Sequence, residues 1–239
     1  MLSKNQIKLI TSLKQKKQRQ QHGFFVVEGV KTIKELLASR LKLHELYTTE
    51  SFNIDAKTEV LISQTELKRI SFLTTPNTAL AIFEIPKPKP IDNKGLIVAL
   101  DDVRDPGNLG TIIRLCDWFG VKELVCSKET VDCFNPKVIQ STMGSITRVN
   151  VSYVDLIDFI KTNKLPVFGA FMEGEAVYNK QLPEEGILIM GNEANGVSKE
   201  VEATVTEKIS IPRFGDLQAT ESLNVATATA ILLSEFRRR

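Results

Sequence analysis

Apolar and polar positions along this chain follow two regimes, and the change between them falls near residue 90. Before it, apolar residues recur in short helical or alternating groups. Ile7, Leu9, Ile10 and Leu13 mark the buried stripe of a first helix, followed by a strand at 24–27, a helix at 30–38 and strands at 43–48 and 60–62. A helix at 65–70 and a strand at 79–85 complete this part, which predicts a small α/β sandwich of roughly 85 residues, large enough to fold alone. From residue 96 the apolar runs become continuous and alternate with helical patterns. Runs at 96–100, 124–126, 149–153, 167–171, 187–190 and 209–211 predict strands buried on both faces, hence an α/β domain with a parallel sheet covered by helices. Between the regimes lies 86–95, where prolines alternate with lysines and favour an extended linker over helix. The expected organisation is a domain at 1–86, a linker at 87–94 and a second domain at 95–239.

Charge sharpens this division. Net charge is only +2, but residues 1–94 hold 16 Lys and Arg against 9 Asp and Glu, and the remainder holds 15 against 20. A basic module that grips a polyanion, joined to a module with different work, fits that asymmetry. The first 22 residues carry Lys4, Lys8, Lys14, Lys16, Lys17 and Arg19 and no acid; a solvated helix face is the plain alternative. Cys116, Cys126 and Cys133 are odd in number and lack a C-x-x-C spacing, so we expect buried free thiols and no metal. No apolar run approaches a membrane span and no signal-peptide core follows Met1, which gives a cytoplasmic expectation.

Candidate chemistry collects at the ends of the predicted second-domain strands, where α/β folds place small polar ligands. The segment Asp101-Asp-Val-Arg-Asp-Pro-Gly-Asn-Leu-Gly-Thr-Ile-Ile-Arg114 leaves a strand and enters a helix. Asn108 can cap that helix, and Arg114, six residues on, interrupts an apolar run and calls for an acid, phosphate or carbonyl partner. Gly191-Asn-Glu-Ala-Asn-Gly196 has the glycine spacing of a phosphate loop, but Val197-Ser198 stands where such a loop needs Lys-Ser/Thr. No Gly-x-Gly-x-x-Gly follows any strand, so an ordinary dinucleotide fold is also rejected. What remains is a tight turn that presents Glu193 beside a ligand. Ile209-Ser-Ile-Pro212, the loop 216–220 and Glu221-Ser-Leu-Asn224 form a strand, a bend and a helix start, followed by an Ala/Thr-rich helix suited to close packing. His22 and His44 both precede the linker, which leaves the second domain without a histidine base and argues against Ser-His-Asp hydrolysis. Asp101, Asp102 and Asp105 could hold magnesium for phosphoryl transfer, although solvated strand-end carboxylates are the plainer reading.

Taken together, the three segments resemble the three motifs of the SpoU/TrmH family of RNA ribose 2'-O-methyltransferases, in order and spacing across 95–239. The first is Asp105-Pro-Gly-Asn108-Leu through Arg114, the second Met190-Gly-Asn-Glu193 through Gly196, and the third Ile209-Ser-Ile-Pro212 through Ser222-Leu-Asn224. The Lys-rich first helix and Phe-Phe-Val-Val-Glu-Gly29 are similar, more loosely, to the ribosomal-protein L30e-like substrate-binding domain of rRNA-directed members. The resemblance implies a trefoil knot in the C-terminal domain, a homodimer packed through it, and S-adenosylmethionine as cofactor without a metal. It places cofactor contacts on Gly191, Ile211 and Leu223, with Asn192 beside them, and catalytic positions on Asn108, Arg114, Glu193, Ser222 and Asn224. Asn108 is expected to hold Arg114, and Glu193 to fix the loop. Asn192 and Asn195 depart from the Ala or Gly of many relatives. Structured RNA is the implied partner, ribosomal RNA favoured over tRNA; a non-catalytic RNA-binding or ribosome-assembly protein is the rival of another class.

Overall fold

A computed structural model describes residues 1–215, 217 and 222–238. The chain forms two compact units. Unit 1 comprises residues 1–88 and 132–147, and unit 2 comprises residues 89–131 and 148–239.

Unit 1 begins with α1 (Lys4–Ser12) and α2 (Lys16–His22), then β1 (Phe24–Glu28), α3 (Val30–Leu37), β2 (Leu43–Thr48), β3 (Glu59–Leu61), α4 (Gln64–Ile70) and β4 (Ala79–Glu84). The sheet order is β1-β4-β2-β3, antiparallel except for the β2–β3 pair. Alternation along the strands explains why both faces are covered. Val26, Leu80, Ile82 and Tyr47 face one side with Ile10 of α1, Leu13 just after it, and Leu67 and Ile70 of α4. Phe25, Val27, Ala81 and Phe83 face the other with Ile33 and Leu36 of α3. The third layer also takes in Ile139, which lies on α6 (Pro136–Thr142) from far along the chain.

That insertion departs from the expected single cut at 87–94, and Arg19 supplies the physical reason. Its guanidinium is 1% exposed, donates to Asp132 Oδ2 at 2.5 and 3.0 Å, and reaches the carbonyls of Leu13 and Lys14 at 2.9 and 2.8 Å. A buried arginine needs such partners, and Asp132 opens the inserted segment. Phe134 then packs against Phe25, the rings tilted at 43° with centroids 4.8 Å apart. Arg19 therefore leaves the set of cations expected on the N-terminal surface. The second helix was also not expected, because its Lys- and Gln-rich sequence shows no apolar stripe.

Unit 2 holds a six-stranded parallel sheet of order β10-β8-β9-β5-β6-β7. Its strands are β5 (Leu96–Leu100), β6 (Glu123–Ser127), β7 (Asn150–Val154), β8 (Val167–Ala176), β9 (Gly186–Met190) and β10 (Glu207–Ser210). On one face Ile97, Ala99, Val125, Ile187 and Ile189 pack with α7 (Leu156–Thr162) and α8 (Lys199–Glu202). Elsewhere α5 (Pro106–Trp118) packs against α9 (Val225–Arg237), and Phe236 of α9 meets Phe168 of β8 edge to face at 5.3 Å. The apolar runs became parallel strands as expected, fully buried in β5, β6 and β9, whereas β7 is half-buried along its length. β8 is longer than its apolar run because exposed Met172 to Glu175 continue it. Its register with β10 shifts between Lys208 and Ile209. A Cβ on Gly174 would lie 2.9 Å from the Lys208 carbonyl, so glycine lets the two backbones approach there. All three cysteines are buried and outside any disulfide, and burial pushes the Cys116 thiol up.

Candidate active site

Three strand ends supply the site. β5 leads through 101–105 into α5, β9 ends before the turn 191–196, and the chain after β10 runs on to Asn224, where α9 starts. Parallel strands bring these carboxyl ends to one edge of the sheet.

Asp105 caps α5, with Oδ1 accepting the Asn108 amide at 2.8 Å and Pro106 in the first turn. This corrects the expectation that Asn108 is the cap. An Asp-Pro start satisfies the helix end by itself, which leaves the Asn108 side chain available for tertiary bonds. Asn108 Nδ2 donates to Glu193 Oε1 at 3.0 Å, and Asn108 Oδ1 accepts from Asn224 Nδ2 at 2.9 Å. Asn224 Oδ1 in turn accepts the amides of Ala226 and Thr227, capping α9. The orientations follow in sequence from one fact: an ionised carboxylate only accepts, so Glu193 sets the direction of the Asn108 amide, which sets that of Asn224. Glu193 also receives the amides of Arg104 and Asp105, each at 3.4 Å, so it ties the 101–105 turn to its own loop.

The 191–196 turn is built by its own residues. A Cβ at Gly191 would lie 2.2 Å from the Gly196 carbonyl carbon, so no side chain fits there. Asn192 and Gly196 exchange both backbone hydrogen bonds at 2.9 Å, and Gly196 has φ +69°. Asn192 Oδ1 accepts the amides of Ala194 and Asn195 at 2.9 and 3.1 Å, while Nδ2 donates to the Asp102 carbonyl at 2.7 Å. The side chain expected beside a cofactor is thus occupied with shaping the turn, which gives the departure at this position a structural purpose.

The three aspartates have separate partners. Asp101 Oδ2 accepts the Ser198 amide at 2.7 Å, Asp102 Oδ1 pairs with Arg104 Nε at 2.7 Å, and Asp105 is the cap. Among the described residues no group of His, Cys, Asp and Glu is arranged to hold a metal ion. The magnesium alternative finds no convergent ligands here.

A cleft of 1250 Å³ opens beside the hydrogen-bonded chain, and Gly191, Asn192, Glu193, Ile211, Ser222 and Leu223 all line it. Asn108 and Asn224 adjoin it through Glu193. Pro212 of the third motif lines it as well, while Phe171 and Met172 of β8 and Arg213 and Phe214 line it and were missed, because the β8 apolar run ends at Phe171 and nothing in the local pattern marks the rest. The part of the third motif at 216 and 218–221 lies outside the described residues. Arg114 stands apart from the rest. It is exposed on the face of α5 that carries Thr111 and Trp118, and it has no hydrogen bond or ion pair among the described residues. Within one chain the expected Asn108–Arg114 contact does not form: six residues turn an α-helix by roughly 240° beyond a full turn, and both Asn108 groups are engaged elsewhere.

Residues 95–234 match the model of the SpoU rRNA Methylase family. The chain belongs to that family. Residues 4–81 match the MRM3-like substrate binding domain. Among relatives of this SpoU family chain, the 23S rRNA (guanosine(2553)-2'-O)-methyltransferase RlmP of Bacillus subtilis is 30% identical, with 98% of this chain and 97% of the relative covered. A solved structure assigned to the TrmH family from Porphyromonas gingivalis is similar at a TM-score of 0.88 and 40% identity, covering 99% of this chain and 98% of that one. An AdoMet-bound rRNA methyltransferase from Sinorhizobium meliloti is similar at a TM-score of 0.88 and 30% identity, covering 99% and 95%.

Proposed function

We propose that this SpoU family chain transfers the methyl group of S-adenosylmethionine to a ribose 2'-hydroxyl of ribosomal RNA. The observation that carries the reading is the Asn108 amide, which joins the three motifs at the edge of the cleft through Glu193 and Asn224. The lining fits the cofactor: Ile211, Leu223 and Leu232 offer apolar surface to an adenosine, and the bend at Gly191 brings main chain to the wall. When bound, S-adenosylmethionine supplies an electrophilic methyl group. The chain's own residues align, polarise and shield. Ser222, which lines the cleft, would orient a ribose hydroxyl, with Asn224 held by Asn108 two residues on. Arg114 presents a planar guanidinium fork, so its role is to bind a substrate phosphate and to stabilise the forming alkoxide.

A homodimer belongs to the same reading. Trp118 is 83% exposed on the α5 face that carries Arg114, a surface suited to a second copy that would complete the site with this arginine. A trefoil knot in the C-terminal domain is part of the same reading and would hold the three loops together. The L30e-like fold for residues 1–86 is supported by the layered sheet and the substrate-binding match. A cytoplasmic location belongs to the same reading, and the bacterial rRNA methyltransferase relative supports it.

Calorimetry with S-adenosylmethionine and mapping of ribose methylation in ribosomal RNA, with and without the protein, test the reading. Cofactor binding with one site lost on deletion is expected. No binding at millimolar cofactor would leave the RNA-binding, non-catalytic alternative.

A further inference from the structure

Unit 1 contains a cleft of its own, of 540 Å³, within the roughly 300–1,000 Å³ common for small-ligand sites. Its base is β1, with Val26 buried and Glu28 at the strand end. One wall is the chain after α4, with Phe72, and the other is α6, with Asn135, Lys137 and Gln140. Lys14 stands at the rim, its ammonium 4.8 Å from the centroid of the Phe72 ring.

Two properties narrow the ligand. The carboxylate of Glu28 is already committed, accepting the Ser71 hydroxyl at 2.5 Å and the Phe72 amide at 2.7 Å, so it anchors Phe72. Around it stand a half-buried aromatic ring, two lysines on different walls and side-chain amides. A planar base with a flanking phosphate uses all of them, because unpaired bases stack on aromatic rings while ammonium groups take the phosphates. An acidic peptide would use the lysines and leave the ring idle. The walls also come from two stretches of sequence, one within the substrate-binding match and one within the methylase match.

We propose that this cleft receives one unstacked nucleotide of the RNA substrate, its base on the Phe72 ring and its phosphate drawn between Lys14 and Lys137. The proposal rests on RNA being the substrate. Entry of the phosphate moves the flexible Lys14 head off the ring, and the base takes its place. The cleft thereby selects RNA with an unpaired nucleotide at this point over continuous duplex.

The test is fluorescence anisotropy of the full chain with a labelled hairpin RNA carrying an unpaired loop and with a blunt duplex of equal length. The protein should prefer the hairpin by about tenfold. Phe72→Leu keeps apolar volume and should abolish that preference with duplex affinity unchanged. Lys14→Glu with Lys137→Glu should weaken the hairpin about tenfold and flatten its salt dependence, whereas Lys57→Glu, outside the cleft, should not. Thermal melts establish that the variants are folded. Retained preference in Phe72→Leu, an equal loss in Lys57→Glu, or displacement of the hairpin by polyglutamate at matched charge would overturn the proposal while leaving the enzymatic reading intact. Absence of binding to either RNA by the unaltered chain would overturn both.

Discussion

At Asn108 one side-chain amide decides how three loops meet, and the direction of its two hydrogen bonds follows from the carboxylate beside it. Asn108→Asp should therefore harm more than Asn108→Ala, since it sets a second carboxylate against Glu193. We expect kcat to fall by about a hundredfold in the alanine variant, and further in the aspartate, with S-adenosylmethionine affinity retained in the alanine variant; single-turnover methyl transfer and calorimetry separate the two. Arg114→Ala should lower kcat by orders of magnitude without changing cofactor affinity, and a near-normal rate would refute its proposed role. Both residues were visible in the sequence as polar groups in an apolar helix. Which partners they had was not, because Asn108 is bound by residues 85 and 116 positions away.

The elements show how local chemistry can be read locally. Ser63 and Glu66 form a capping box at the start of α4, and Glu66 also accepts the Leu2 amide at 2.7 Å. These backbone hydrogen bonds lower the Glu66 pKa from 4.5 to about 2. A lowered carboxylate stabilises the fold above its unfolded pKa, and that contribution is lost as pH falls from about 4.5 toward 2. Glu66→Gln should be less stable than the parent at pH 7, and the two should converge near pH 2 in chemical denaturation. Most strands were legible for a similar reason: apolar runs and alternation are properties of adjacent residues. The continuation of β8 was not, since Met172 to Glu175 are exposed and join the sheet through β10. The Asp105 cap was written in the Asp-Pro pair and still went to the wrong residue, because Asn108 is an equally good cap by type.

For the whole molecule, the two compact units do not follow the linker alone. Arg19 and Asp132 tie α2 to the inserted segment, and Arg19→Met would leave a carboxylate without its buried partner. A loss of about 3–5 kcal/mol in urea unfolding is expected, with part recovered on adding Asp132→Asn. The sequence by itself determined the α/β class, the parallel second sheet, the thiols outside any disulfide, the family and the order of its three motifs, because each depends on residue type and short spacing. Tertiary structure decided the rest: that residues 132–147 complete unit 1, that Arg19 is an internal tie, that Asn192 shapes its turn, and that Asn108 faces Glu193 and Asn224 and not Arg114. Those outcomes depend on hydrogen bonds and packing between residues distant in the chain, and residue type states only that a polar group needs a partner, never which partner the fold brings to it.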